Sequence, residues 1–126
     1  MRARWLGLAA AIAGSLAQPV SRAEEASTLP AGFEATGEIR KCLPAHEIRE
    51  TRVLDDRTIL FRAHVSDYYL NRLPRACPEL KLEGRFAYKL RGTNDLCDID
   101  TITVLNSSGT GPACLLGKFE AVKKKP

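Results

Sequence analysis

From Cys42 onward the chain sets β-branched and apolar residues among charged ones in short runs, and polar breaks separate the runs. Ile48–Leu54 and Thr58–Ala63 are two such runs, and Asp55–Asp56–Arg57 between them is rich in turn-forming residues. This reads as a β-hairpin with a three-residue loop. Ser66–Asp67 can cap a helix, and Tyr69, Leu70, Leu73 and Cys77 then follow at helical intervals. Pro74 and Pro78 would hold that helix to about two turns. Gly84–Leu90 alternates Phe86, Tyr88 and Leu90 with Arg85, Ala87 and Lys89, the period of a strand. Gly92–Asp95 is a turn, Ile99–Leu105 a strand, Asn106–Pro112 a polar loop and Cys114–Val122 a last strand.

About five strands and one short helix predict a mainly β domain (small α+β), its antiparallel strands forming a compact sheet or barrel. No βαβ period occurs, which excludes a nucleotide-type α/β fold. The single domain runs from residue 42 to 122. Residues 24–41, rich in Ala, Ser, Thr, Glu, Pro and Gly up to Thr36, read as a flexible lead-in, and 123–126 as a basic tail.

The start of the chain changes the picture of compartment. A basic opening (Arg2, Arg4) leads into an apolar run of about 13 residues, Trp5–Ala17, and then to small residues at Ser21 and Ala23. These are the three parts of a secretory signal peptide spanning 1–23, cut between Ala23 and Glu24, with a cut after Ala17 as second choice. Spanning a bilayer takes about 20 apolar residues, so no transmembrane segment is expected after cleavage. The first cysteine is Cys42, too late for a lipid anchor. The expected location is periplasmic or secreted.

Charge then carries little information. The chain has 19 Lys and Arg against 15 Asp and Glu. Loss of Arg2, Arg4 and Arg22 leaves 16 against 15, a net charge of +1. Acid and base are interspersed without a concentrated basic face, which argues against nucleic acid as a partner.

All four cysteines, Cys42, Cys77, Cys97 and Cys114, follow the leader, and none lies within 16 residues of another. Metal sites of the C-x-x-C kind need closer spacing. Two disulfides are expected, with three connectivities open. Context favours Cys77–Cys97, which brackets one strand, and Cys42–Cys114, which would tie the ends together. Closing the longer loop should stabilise by roughly 4 kcal/mol and the shorter by roughly 3 kcal/mol.

The contexts of all four cysteines, together with Ile48–Phe61, Tyr69–Leu73, Cys77–Leu80, Leu96–Asp100 and Cys114–Phe119, resemble a domain-of-unknown-function family of small exported four-cysteine proteins from Gram-negative bacteria. The likeness runs from Cys42 to about Val122. It implies export and a single domain, and it brings no activity with it.

Candidate chemistry is sparse. Asp98 and Asp100, two apart, would share a strand face, but no third ligand or base is placed beside them. Asp55–Asp56–Arg57 lacks the ligand count of a calcium loop. His46 and His64 have no serine in an elbow context, and cysteines held in disulfides are not nucleophiles. No catalytic residue, metal or cofactor is therefore assigned. Tyr68, Tyr69, Asn71 and Arg72 form the most interaction-like cluster, because Tyr and Arg are the usual anchors of protein interfaces. The expected function is a non-enzymatic binding or accessory module acting on a protein or envelope component, with inhibition of a hydrolase as one form of it. The alternative is a small periplasmic hydrolase or metal-dependent enzyme.

Overall fold

The computed structural model describes residues 29–126, with Gly7 and Gly14 besides. Those two glycines apart, the leader read in 1–23 lies outside the described residues. The described part is mainly β, with ten strands, one short helix and two disulfides. In chain order the elements are β1 (Phe33–Arg40), β2 (Cys42–Pro44), β3 (Ile48–Asp55), β4 (Thr58–Ala63), β5 (Asp67–Arg72), α1 (Leu80–Glu83), β6 (Phe86–Tyr88), β7 (Asp95–Cys97), β8 (Thr101–Asn106), β9 (Gly109–Leu115) and β10 (Phe119–Lys124). No helix among the described residues is long and apolar enough to cross a membrane.

The largest sheet has five antiparallel strands in the order β1-β10-β5-β4-β3. Its inner face contributes Val53, Ile59, Phe61 and Phe119 to the main core. The opposing half supplies Leu43 and Leu96 from the ribbon β2-β7, and Ile102 and Val104 from the sheet β6-β8-β9. Leu80 of α1 closes one side. Phe61 packs edge-on against Phe119 at 5.3 Å and against Phe86 at 6.3 Å. Such pairs add about 0.5–1.5 kcal/mol each beyond the area they bury.

The hairpin forms where the pattern places it, with β3 and β4 joined through Asp56–Arg57. Its tip is a ledge for the segment that follows β5. Arg57 donates from Nε to the Leu73 carbonyl (2.7 Å), the Asp56 carbonyl accepts from the Cys77 N–H (2.6 Å), and the Asp56 carboxylate accepts from the Lys81 N–H (2.9 Å). The carboxylates of this loop thus serve local structure.

Four expectations need correction. The helix expected after Ser66–Asp67 is strand β5, and the chain's short helix is α1 further on. β5 is the central strand of the five-stranded sheet, so it carries bulky side chains on both faces. A strand filled on both faces loses its alternation, and over so short a stretch its apolar spacing also satisfies a helical template. Part of the supposed lead-in is β1, and Lys123–Lys124 of the supposed tail belong to β10; these strands pair from Phe33↔Lys124 to Arg40↔Phe119. Gly37, at φ +86°, lies in the register shift of β1 and gives the backbone the turn it needs there. The loop expected over Asn106–Pro112 is mostly the start of β9, hairpinned onto β8. The break in the last run falls instead at Leu116–Lys118.

The fourth correction concerns the cysteines. The bonds are Cys42–Cys97 and Cys77–Cys114, not Cys42–Cys114 and Cys77–Cys97. Cys42 faces Cys97 across the β2-β7 ribbon, with the Cα atoms 4.0 Å apart. Cys77, fully buried after β5, joins Cys114 on β9 at a Cα distance of 5.8 Å. The ends of the described segment 29–126 are tied together, but by the β1–β10 ladder rather than by sulfur.

Candidate functional site

Strand alternation divides the Tyr68–Arg72 cluster between two faces. Asn71 is fully buried and points inward. Its amide Nδ2 donates to the Gly117 carbonyl (2.7 Å), and its Oδ1 accepts from the Gly117 N–H (2.8 Å). This two-point clamp fixes the Leu116–Lys118 break onto β5, and full burial keeps Asn71 out of reach of a partner molecule. Tyr69 also packs against the main core. Its hydroxyl accepts from Arg40 Nη1 at 3.1 Å.

Tyr68 and Arg72 share the outer face. Three apolar side chains there, Leu60, Leu70 and Val122, are buried beneath Leu29, Phe33, Leu54 and Tyr68. Phe33 meets Tyr68 edge-on at 5.0 Å, and the Lys124 ammonium sits 5.2 Å from the centre of the Tyr68 ring. A depression of about 190 Å³ opens between Phe33, Glu50, Arg52, Leu60, Arg62, Tyr68 and Lys124. A second of about 190 Å³ lies beyond Val122, where Leu29, Ala35, Ile39, Arg72, Glu120 and Val122 line it. Both are smaller than the roughly 300–1,000 Å³ of pockets that hold cofactors, so each has room for about one side chain.

The electrostatics of the face are lopsided. Arg62 is paired with Glu50 at 3.1 Å and Arg72 with Glu120 at 3.0 Å. The Arg72 Nε is buried and makes no hydrogen bond. The first depression therefore holds three cations, Arg52, Arg62 and Lys124, around the single carboxylate of Glu50.

Other candidates fall elsewhere. Asp100 is 4% exposed and lies in a turn rather than along a strand. Its carboxylate accepts from Arg91 Nε (2.8 Å) and from the Cys97 N–H (2.7 Å), so it braces the turn after β7 and shares no strand face with Asp98. His46 is exposed in the helical turn Ala45–Glu47, and His64 Nε2 lies 3.3 Å from a Glu47 oxygen. Among the described residues no three His, Cys, Asp or Glu side chains converge as metal ligands would. A larger cleft of about 520 Å³ runs between Pro74–Pro78 and β9, lined by three prolines, Arg75, Ala76, Ala113, Cys114 and Leu115. It has one cation and no set of convergent polar side chains to orient a ligand.

Of the outer-face residues, sequence reasoning found Tyr68 and Arg72 and missed Phe33, Arg52, Leu60, Arg62 and Lys124. Arg52 and Arg62 lay within recognised strands, and alternation alone puts Leu60 and Arg62 on one face. Phe33 and Lys124 lie 91 residues apart in the sequence, and the β1–β10 pairing brings them together. Comparison with protein families, curated proteins and solved structures returns no match.

Proposed function

We propose that this protein is a non-enzymatic binding module of the cell envelope, exported and oxidised there, that engages a protein partner through the outer face of its five-stranded sheet. The observation that carries this reading is the asymmetry of that sheet. One face is sealed into the core, while the other sets Phe33 and Tyr68 beside Arg52, Arg62, Arg72 and Lys124 around two depressions sized for side chains. Aromatic rings and guanidinium groups over an apolar floor are the usual material of protein-interface anchors. Two disulfides support an oxidising compartment.

The test is site-specific photocrosslinking in cells. Benzoylphenylalanine at position 39 or 52, on the outer face, should give a discrete adduct. The same group at position 82, exposed on α1 on the opposite side, should not. Equal labelling from all three positions, or from position 82 alone, would refute the assignment of the face.

A second reading, inhibition of a hydrolase, is favoured by the β4–β5 turn. Val65 is 84% exposed at its tip. Its neighbour His64 is held by its N–H to the Glu47 carbonyl (3.0 Å), its carbonyl to Arg62 (3.1 Å) and its ring to Glu47. A rigid loop with a projecting apolar tip suits insertion into a cleft, and an adduct from position 65 rather than 39 or 52 would favour it.

A further inference from the structure

The outer face specifies more than the presence of a partner. We infer that its occupant is an extended, acidic segment of the partner protein, which places one carboxylate among Arg52, Arg62 and Lys124 and one aliphatic side chain against Ala35, Ile39 and Val122. This rests on the binding reading above and deepens it.

Three features of the face carry the inference. The first is charge. Arg62 already shares its Nε with Glu50 and its Nη1 with the His64 carbonyl, while Arg52 is exposed and the Lys124 ammonium lies over the Tyr68 ring. One acid against three cations leaves a positive excess that an incoming carboxylate would neutralise. Desolvated beside Phe33 and Leu60, a charge-assisted hydrogen bond there is stronger than one in open water.

The second feature is the contrast between the two depressions. The first is ringed by charge. In the second, Leu29, Ala35, Ile39, Ala121 and Val122 form an apolar wall, and its polar lining is Glu38 with the paired Arg72 and Glu120. Ile39 is 59% exposed, an apolar side chain on the edge strand beside this wall.

The third is spacing. Tyr68 borders the first depression and Arg72 the second, four residues apart on one strand. At about 3.3 Å per residue that is about 13 Å. An extended chain lying along β5 turns side chains toward the sheet at every second residue, so positions i and i+4 would enter the two depressions together. A lone small anion would use only the first, and a flat anionic bilayer would not reach into either.

The experiment is a titration of the oxidised protein, as recovered after export, followed through its backbone amide NMR signals. The probe is a nine-residue unstructured peptide with glutamate and leucine four positions apart. Three comparison ligands are the same peptide with glutamine for glutamate, inorganic phosphate, and phosphatidylglycerol vesicles. The expected result is movement of the Arg52, Leu60, Tyr68, Leu70 and Val122 signals, with affinity falling at least tenfold for the glutamine peptide. The same loss is expected in an Arg52→Gln, Lys124→Gln variant, whose unliganded spectrum reports whether the fold is intact. Affinity should also drop as salt rises. The inference is overturned if millimolar peptide moves no outer-face signal, or if the charge changes leave affinity unaltered. It is equally overturned if phosphate alone reproduces the full pattern of shifts, or if the vesicles bind and the peptide does not. Position-dependent crosslinks from residues 39 and 52 alongside any of these failures would leave the face as the binding surface and remove only its acidic-segment specificity.

Discussion

Gly117→Ala should be among the most destabilising single-methyl additions in this protein. A Cβ built at Gly117 collides with the Arg72 carbonyl oxygen, and it lies 3.1 Å from that residue's carbonyl carbon and 3.5 Å from Asn71 Oδ1. The obstacle is backbone of the central strand, which cannot rotate away as a side chain would. Overpacking a tight site costs about 1–3 kcal/mol. Relief by moving Gly117 would stretch both hydrogen bonds to Asn71, each contributing about 1 kcal/mol. The expected loss is therefore about 3 kcal/mol, a large share of the roughly 5–15 kcal/mol that holds a domain of this size. Melting should fall by about 12–24 °C. Urea denaturation followed by far-UV circular dichroism measures this directly, since the only tryptophan, Trp5, lies outside the described residues. Gly84→Ala is the control. Gly84 has φ +66° but open space around it, so it should lose only the left-handed penalty of about 1–2 kcal/mol. If Gly117→Ala is no worse than Gly84→Ala, then the close approach of the Leu116–Lys118 break to β5 is not as described.

The disulfides give a second expectation: non-reducing peptide mapping should recover Cys42 linked to Cys97 and Cys77 linked to Cys114. Replacing either pair by alanine should cost about 4 kcal/mol from loop closure alone, and the Cys77/Cys114 pair should cost more, because Cys77 is fully buried. At Asp100, alanine should destabilise by about 2 kcal/mol, since it strands the Cys97 N–H. Asparagine keeps that acceptor and should cost less than half as much; equal costs in chemical denaturation would point instead to the half-exposed Arg91 pair as the source of stability.

What was legible in the sequence follows from how local each cause is. The β3–β4 hairpin needs only alternation and a polar turn, both within sixteen consecutive residues, and it stands where expected. Strand β8, with Ile102 and Val104 buried on one face, is local in the same way. Strand β1 was illegible because Phe33–Arg40 has little apolar character of its own. Most of its residues are exposed, and it is a strand because β10 offers it a ladder. β5 was misread because a central strand erases its own period. The cysteine pairing failed for a related reason. From the pattern alone Cys42 stands ahead of the first strand, whereas β1 precedes it and Cys42 lies inside a ribbon facing Cys97. Once β1 is missed, sulfur appears to be needed at the ends, where hydrogen bonds suffice.

The same topology separates the covalently braced part of the molecule from the two strands that supply one side of the outer face. The two closed loops run from Cys42 to Cys97 and from Cys77 to Cys114, so β1 and β10 lie outside both. These two strands supply Phe33, Ile39, Val122 and Lys124 to the outer face, and they are held by ladder hydrogen bonds, by Phe119 in the core and by the Glu34–Lys123 pair at 3.4 Å. That pair is largely exposed and adds little. The bulge at Gly37 interrupts the ladder midway along β1. Arg52, Arg62 and Tyr68, by contrast, come from the continuous β3-β4-β5 meander. The first depression thus draws Arg52, Arg62 and Tyr68 from within the disulfide-closed loops and Phe33 and Lys124 from outside them, whereas the second is lined mainly from β1 and β10, with Arg72 alone from β5.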